Sequence, residues 1–153
     1  MAPRNYGWSI NLDIKWTPHQ KGGSFRRWYG NNEYVVNWQN DGQEMREFGT
    51  ENGGKPKSRV QNREFYFQPG VTRSDLTVAK FAGRVFKNGF TFDITGPSLF
   101  PIYFENQIKI AAYVNCIIFQ QFLNVSLAGM HYSNGVIAKM PYLEPENKAL
   151  IIK

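Results

Sequence analysis

Two histidines and one cysteine are all the chain offers of the side chains that most often carry nucleophilic, acid–base or soft-metal chemistry: His19, His131 and Cys116. No CxxC, HExxH or HxH spacing joins them, so the pattern of a structural zinc site is missing. No G-x-S-x-G turn presents a serine nucleophile, which leaves a Ser–His–Asp set without a sequence signal. Paired carboxylates would have to come from scattered residues such as Asp75 and Asp93. Asp93, in a run of phenylalanines, reads instead as a local hydrogen-bond acceptor at a turn. Cys116 reads as a small buried core residue, and a single cysteine forms no internal disulfide, so a reducing cytoplasm is the expected compartment. Catalysis by this chain alone is not indicated, and no catalytic or metal-ligating residue is assigned.

The cations carry more information. In "KGGSFRRWYGNNEYVVNW", Lys21 to Trp38, glycines stand beside Lys21, Arg26 and Arg27. Gly22 and Gly23 would let a backbone approach a phosphate closely, and the two guanidinium forks suit phosphate oxygens or a guanine edge. The spacing matches neither G-x-x-x-x-G-K-[ST] nor G-x-G-x-x-G, so a nucleotide loop is not the reading. Trp28 and Tyr29 either stack on a base or anchor the loop in the core, and anchoring is the preferred expectation. The formal net charge of +6 lies wholly in residues 55–87, where eight basic side chains face Glu64 and Asp75, so 8 − 2 = +6. Residues 1–54 hold six cations and six anions, and residues 88–153 hold four of each. Within the basic segment Arg59, Arg63, Arg73 and Arg84 are of the type that reads bases or grips phosphates, with Thr72 and Ser74 as nearby donors. Lys55, Lys57 and Lys80 would add salt-sensitive affinity. On composition alone a polyanion contact and a solvated surface both remain open.

The elements that must position these residues are short. At 153 residues with 42% hydrophobic content the chain can bury one core. "NEYVVNW" reads as a strand, and "NDGQEMREFG" as a short helix with Asn40 or Asp41 as N-cap and Gly49 as stop. "REFYF", "GVTRSDLTVAKF" and "SLFPIYF" are strand candidates. "AGRVFK" and "FTFDI", separated by Asn88-Gly89, predict a hairpin with Phe90, Phe92 and Ile94 on its buried face. The helical spacing of Ile108, Ala111, Ala112, Asn115, Ile118, Phe119 and Phe122 predicts one long helix from Glu105 to Leu123. A last strand is expected around Val136 to Met140. Together these give an α+β domain: a twisted, mostly antiparallel β-rich unit buttressed by one long helix in the C-terminal half. No run reaches the length of a membrane span, and the N-terminus lacks the apolar core of a signal peptide.

"KGGSFRRWYGNNEYVVNWQNDG", "FYFQPGVTRSDLT", "AGRVFKNGFTFDITGPSLFP" and "VNCIIFQQFLNVSLAGMHYSNGVIAKMPYL" resemble, in this order, blocks in the C-terminal half of the large adenine-specific DNA methyltransferases of BREX phage-resistance systems (PglX-like). They are also similar to the matching region of restriction enzymes that fuse methylase and specificity functions. The resemblance runs from about Trp16 to Leu143. It departs from the family pattern at Arg73, where tryptophan is common, and in "VNCII" and "LNVSLAG" of the late helix. In that family a glycine-rich S-adenosylmethionine loop and an Asn-Pro-Pro-Tyr motif lie N-terminal to these blocks, and neither occurs in this sequence. The resemblance therefore implies one target-recognition-like domain over 1–153, without the catalytic domain. It implies no cofactor in this chain, since S-adenosylmethionine belongs to the absent part.

The expected function is recognition of double-stranded DNA for an adenine-N6 methyltransferase of a phage-defence or restriction–modification system. The expected contacts are Lys21, Arg26, Arg27, Lys55, Lys57, Arg59, Arg63, Thr72, Arg73, Ser74 and Arg84. The alternative is a protein-interaction module or remnant that works only with a methyltransferase catalytic domain or subunit. In that case the aromatic-rich first quarter would be the interface. An inhibitor that mimics part of the methyltransferase is a third reading; the basic charge opposes the version of it that mimics DNA.

Overall fold

The structure, a computed structural model, describes residues 14–75, 80–126 and 132–142. Among these residues are six short strands in two three-stranded sheets, and four helices. The first sheet has β1 (Trp16–Gln20) in its centre, flanked by β2 (Tyr34–Asn37) running antiparallel and β5 (Thr91–Phe92) running parallel. The second has β3 (Gly70–Thr72) between β4 (Arg84–Phe86) and β6 (Ser98–Leu99), both antiparallel to it. Three of the four strand pairings are thus antiparallel, and the fold is α+β as the sequence predicts.

Side chains alternate across a strand, so the second sheet has two different faces. Val71 lies opposite Val85, and both pack with Leu99 against the helices. There α2 (Gln107–Asn115) and α3 (Ile117–Ser126) contribute Ala111, Val114, Phe119 and Leu123 to the core, joined by Ile137 of α4 (Asn134–Ile137). Removing such side chains from water contributes roughly 1.5–3 kcal/mol for each large one. The other face carries Thr72 opposite Arg84 and Gly70 opposite Phe86. Phe86 meets Phe90 and Phe100, and through Phe92 and Tyr66 the rings continue to Trp38 beside the first sheet.

Several elements differ from the sequence reading for identifiable reasons. The Asn88-Gly89 turn forms, with Gly89 at φ 98°, but β4 and β5 enter different sheets instead of a hairpin. Phe67 takes the pairing positions: Gly89 N–H donates to its carbonyl and its own N–H donates to Phe90 O, at 3.0 and 2.8 Å. "REFYF" is not a strand; Arg63–Phe65 makes a 3-10 turn entered through Asn62 in the left-handed region at φ 57°. Buried in β5 is Thr91, whereas Ile94 is exposed. The single long helix is two, bent by 62°. Asn115 Nδ2 donates to the Ala111 carbonyl, competing with the helical ladder, and Cys116 turns extended. Cys116 Sγ then accepts from Phe119 N–H at the start of α3. The bend leaves Ile108, Ile118 and Phe122 outside. The expected strand at 136–140 is instead α4, which starts where Ser133 Oγ accepts from Val136 N–H. Helix α1 (Gln39–Glu47) ends before Gly49 as expected, but Asn40, Asp41 and Gly42 enter it in the left-handed region and no side chain caps it. No single helix among the described residues is long and apolar enough to cross a membrane.

Candidate nucleic-acid interface

The loop that follows β1 and the strand β4 form one unit. Trp28 N–H donates to Gly83 O at 2.9 Å, and Val85 N–H donates to Trp28 O at 2.8 Å, a parallel bridge that seats the loop on Arg84. Ser74 Oγ links to both the Gly23 N–H and the Gly23 carbonyl, at 3.2 and 3.1 Å. A Cβ at Gly22 would stand 2.6 Å from the Thr95 carbonyl, so the loop's close approach to the turn after β5 requires glycine there. Trp28 is held at φ 72°, a left-handed conformation that costs a bulky residue roughly 1–3 kcal/mol. What is anchored is this backbone; the Trp28 and Tyr29 rings are 51% and 68% exposed, so the expected anchoring in the core is not found. Phe25 is exposed as well, with the Arg27 guanidinium 5.6 Å above its ring. Lys21, Arg26 and Arg27 all reach solvent.

The helices hold β4 from the opposite side through side chains that interrupt their apolar pattern. Gln107 Nε2 donates to the carbonyls of Gly70 and Phe86 at 2.8 and 2.7 Å. Asn115 both accepts from Gly83 N–H and donates to Gly83 O, and Gln120 accepts from Phe81 N–H. These three residues set the path of segment 81–86 under the loop. Sequence reasoning counted Asn115 as one position of the core stripe and gave Gln107 and Gln120 no role; amides on the buried side of a helix were the available signal, because buried polar groups need partners.

The basic segment divides. Lys55, Lys57, Arg59 and Arg63 are exposed, and Lys80 and Lys87 with them. Arg63 is ion-paired with Asp41 and its guanidinium lies 6.0 Å from the Trp38 ring centroid. Thr72, Arg73, Ser74 and Arg84 are buried. Thr72 Oγ1 donates to Gly96 O, closing β3 onto the turn before β6. Arg73, 2% exposed, lies 3.5 Å from Asp75, donates to Asn134 Oδ1 of α4 and sits over Phe81. Burial pushes its pKa down and Asp75 opposes that shift. Arg84, 1% exposed, is also disfavoured as a cation by burial, but no carboxylate faces it among the described ion pairs.

Behind the loop, Asp93 works as the local acceptor expected of it. It takes hydrogen bonds from the Thr95 N–H at 2.8 Å and the Thr95 hydroxyl at 2.6 Å, with His19 Nε2 at 3.5 Å. Burial opposes its ionisation, but the bonds from His19 and Thr95 outweigh this and hold its carboxyl well below the usual range. Among the described residues no three of His, Cys, Asp and Glu gather as a metal site, and His131 lies outside the described residues.

No family model matches the chain. It is 30% identical over 142 residues to the adenine-specific methyltransferase PglX of Lacticaseibacillus casei, covering 93% of this chain and 12% of that protein. It is 31% identical over 135 residues to the adenine-specific methyltransferase BrxX of Escherichia coli O9:H4, covering 85% of this chain and 10% of that protein. The chain thus spans about a tenth of the length of these relatives. Across most of its own length, it is related to the BREX-type adenine-specific methyltransferases PglX and BrxX.

Proposed function

We propose that this chain is the DNA-binding, target-recognition part of an adenine-N6 DNA methyltransferase system, non-catalytic by itself. The observation that carries this reading is the exposure of Lys21, Arg26, Arg27, Lys55, Lys57, Arg59 and Arg63 in a chain related to adenine-specific methyltransferases. Duplex DNA attracts such cations because each phosphate they neutralise releases counterions. Arg26 and Arg27 stand beside the exposed Trp28 and Tyr29, a cation-and-ring set that suits backbone or base contact. Lys55, Lys57 and Arg59 act on phosphates from the loop after α1. S-adenosylmethionine would be bound elsewhere, by the catalytic domain, and cytoplasmic location follows from that role. In a gel shift the chain retards a mixed-sequence duplex at low salt, and the double substitution Arg26→Ala with Arg27→Ala weakens the shift about tenfold or more. No retardation of any duplex at low salt would overturn the reading.

A second reading has its own observation. Ile108, Ile117, Ile118, Phe122 and Val125 on α2 and α3 are exposed, an apolar surface of the kind that marks protein contacts. It favours docking of this unit against the remaining part of a methyltransferase. Gel filtration separates the two: self-association without DNA affinity supports the docking reading alone.

A further inference from the structure

A buried guanidinium normally has a carboxylate or several carbonyl oxygens around it, because an unpaired charge away from water is costly. Arg84 breaks this rule. Its Nε and Nη2 are buried and have no hydrogen-bond partner among the described residues. Guanidinium has no acceptor and stays protonated, so two of its donor nitrogens face a space that none of the described residues fills. That space is a small cleft bordered by Gly23, Phe25, Ser74, Lys80, Ala82 and Arg84, with about 10 Å³ available to the centre of a water-sized group. The Ser74 hydroxyl is already engaged with the Gly23 backbone, which leaves Arg84 below and the exposed Lys80 at the rim as the cleft's free cations.

We propose that this cleft is an anion subsite that takes one non-bridging oxygen of a DNA backbone phosphate, held by Arg84 from beneath and Lys80 from the rim. The assignment rests on the DNA-binding reading for the identity of the anion, and on the orphaned donors for the site itself. The size of the cleft admits a single oxygen, not a nucleotide, so the group that enters belongs to something whose bulk stays outside. A phosphodiester fits that demand. Its chain would continue over the loop's exposed Phe25, Arg26 and Arg27. The loop geometry serves the same end: the Trp28–Gly83 and Val85–Trp28 bonds fix the cleft wall, and Asn31 Nδ2 holds the Ser24 carbonyl at 3.0 Å. A preformed site of this kind binds without ordering the loop first. The Arg84 charge, costly when empty, is stabilised only when the phosphate arrives.

The test uses the full chain, inorganic phosphate and a labelled duplex oligonucleotide. Phosphate should raise the melting temperature of the wild type above a chloride control of equal ionic strength, and Arg84→Met should abolish that increment. The same substitution should lower duplex affinity about tenfold and reduce the log–log salt slope by about 1. Lys80→Ala, on the exposed rim, retains the fold and should halve the phosphate increment or more, which keeps the proposal testable if Arg84→Met does not fold. Phosphate protection lost in Arg84→Met without duplex binding by the wild type supports the subsite and overturns the DNA reading. Duplex binding with an unchanged slope and an equal phosphate increment in both Arg84→Met and Lys80→Ala overturns the subsite alone. Protection by an acidic peptide but not by phosphate overturns the phosphate assignment.

Discussion

Arg73 and Arg84 come from one basic segment, lie on neighbouring strands or their ends, and are almost equally buried, yet their surroundings are opposite. Arg73 is engaged on several sides: Asp75 balances its charge, Asn134 Oδ1 accepts a hydrogen bond from it, and its guanidinium lies over the Phe81 ring. It ties the end of β3 to α4, and none of its nitrogens is among the buried, unpartnered ones of the described residues. Arg84 is held just as deeply by β4, but two of its nitrogens have no partner among the described residues. A buried arginine is therefore not one kind of object. One completes the fold, and the other charges the fold with an expense that only an outside anion offsets.

The contrast can be broken or sharpened by substitution. The largest effect is expected at Arg73. Arg73→Met takes the counter-charge from the partly buried Asp75 and unties β3 from Asn134 of α4, and urea unfolding should show a loss of about 3 kcal/mol. Next is Asn115→Ala, which leaves the Gly83 N–H without its acceptor and the Gly83 carbonyl with only the Trp28 N–H, and should cost about 2 kcal/mol. Hydrogen exchange at the Trp28 and Val85 amides should quicken in that variant, because Gly83 carries the loop's anchoring bond. Arg84→Met goes the other way. Removing an uncompensated buried charge while filling its volume should raise stability by about 1 kcal/mol in chloride buffer. If Arg73→Met and Arg84→Met shift stability in the same direction, the distinction between the two arginines fails.

The smallest expected effect is a pH dependence at Asp93. Its folded pKa lies below the unfolded value of about 4, so its contribution to stability is present above that value. It is lost as pH falls from there toward the folded pKa. Acid titration of the melting temperature should therefore decline more steeply in the wild type than in Asp93→Asn. The loop should loosen with it, since Gly22 packs on the Thr95 carbonyl that this turn presents.

The sequence made some of this visible. Strand β2, the Asn88-Gly89 turn, the Gly49 stop and the role of Asp93 follow from local chemistry, and local chemistry is what residue types report. The two-sheet arrangement was hidden because strand pairing is non-local. Nothing near Asn88 says that Phe67, twenty-one positions earlier, occupies the pairing sites a hairpin would use. The helix break was hidden because a broad apolar stripe looks the same whether it is straight or bent at Asn115. Arg26, Arg27, Lys55, Lys57 and Arg59 are exposed, as polar side chains in loops usually are. The interior positions of Arg73 and Arg84 do not follow from a count of charges, because burial of an arginine depends on partners contributed by distant segments.

The proposed function turns on electrostatic recognition of duplex DNA by the exposed cations of this chain. Fluorescence anisotropy of a labelled duplex, titrated across a series of salt concentrations, tests it most directly. Of the seven exposed cations in the proposed contact set, Arg63 is already paired with Asp41, so the log–log slope of affinity against salt should lie between about −3 and −6. No binding at low salt, or binding that does not weaken as salt rises, would contradict the account.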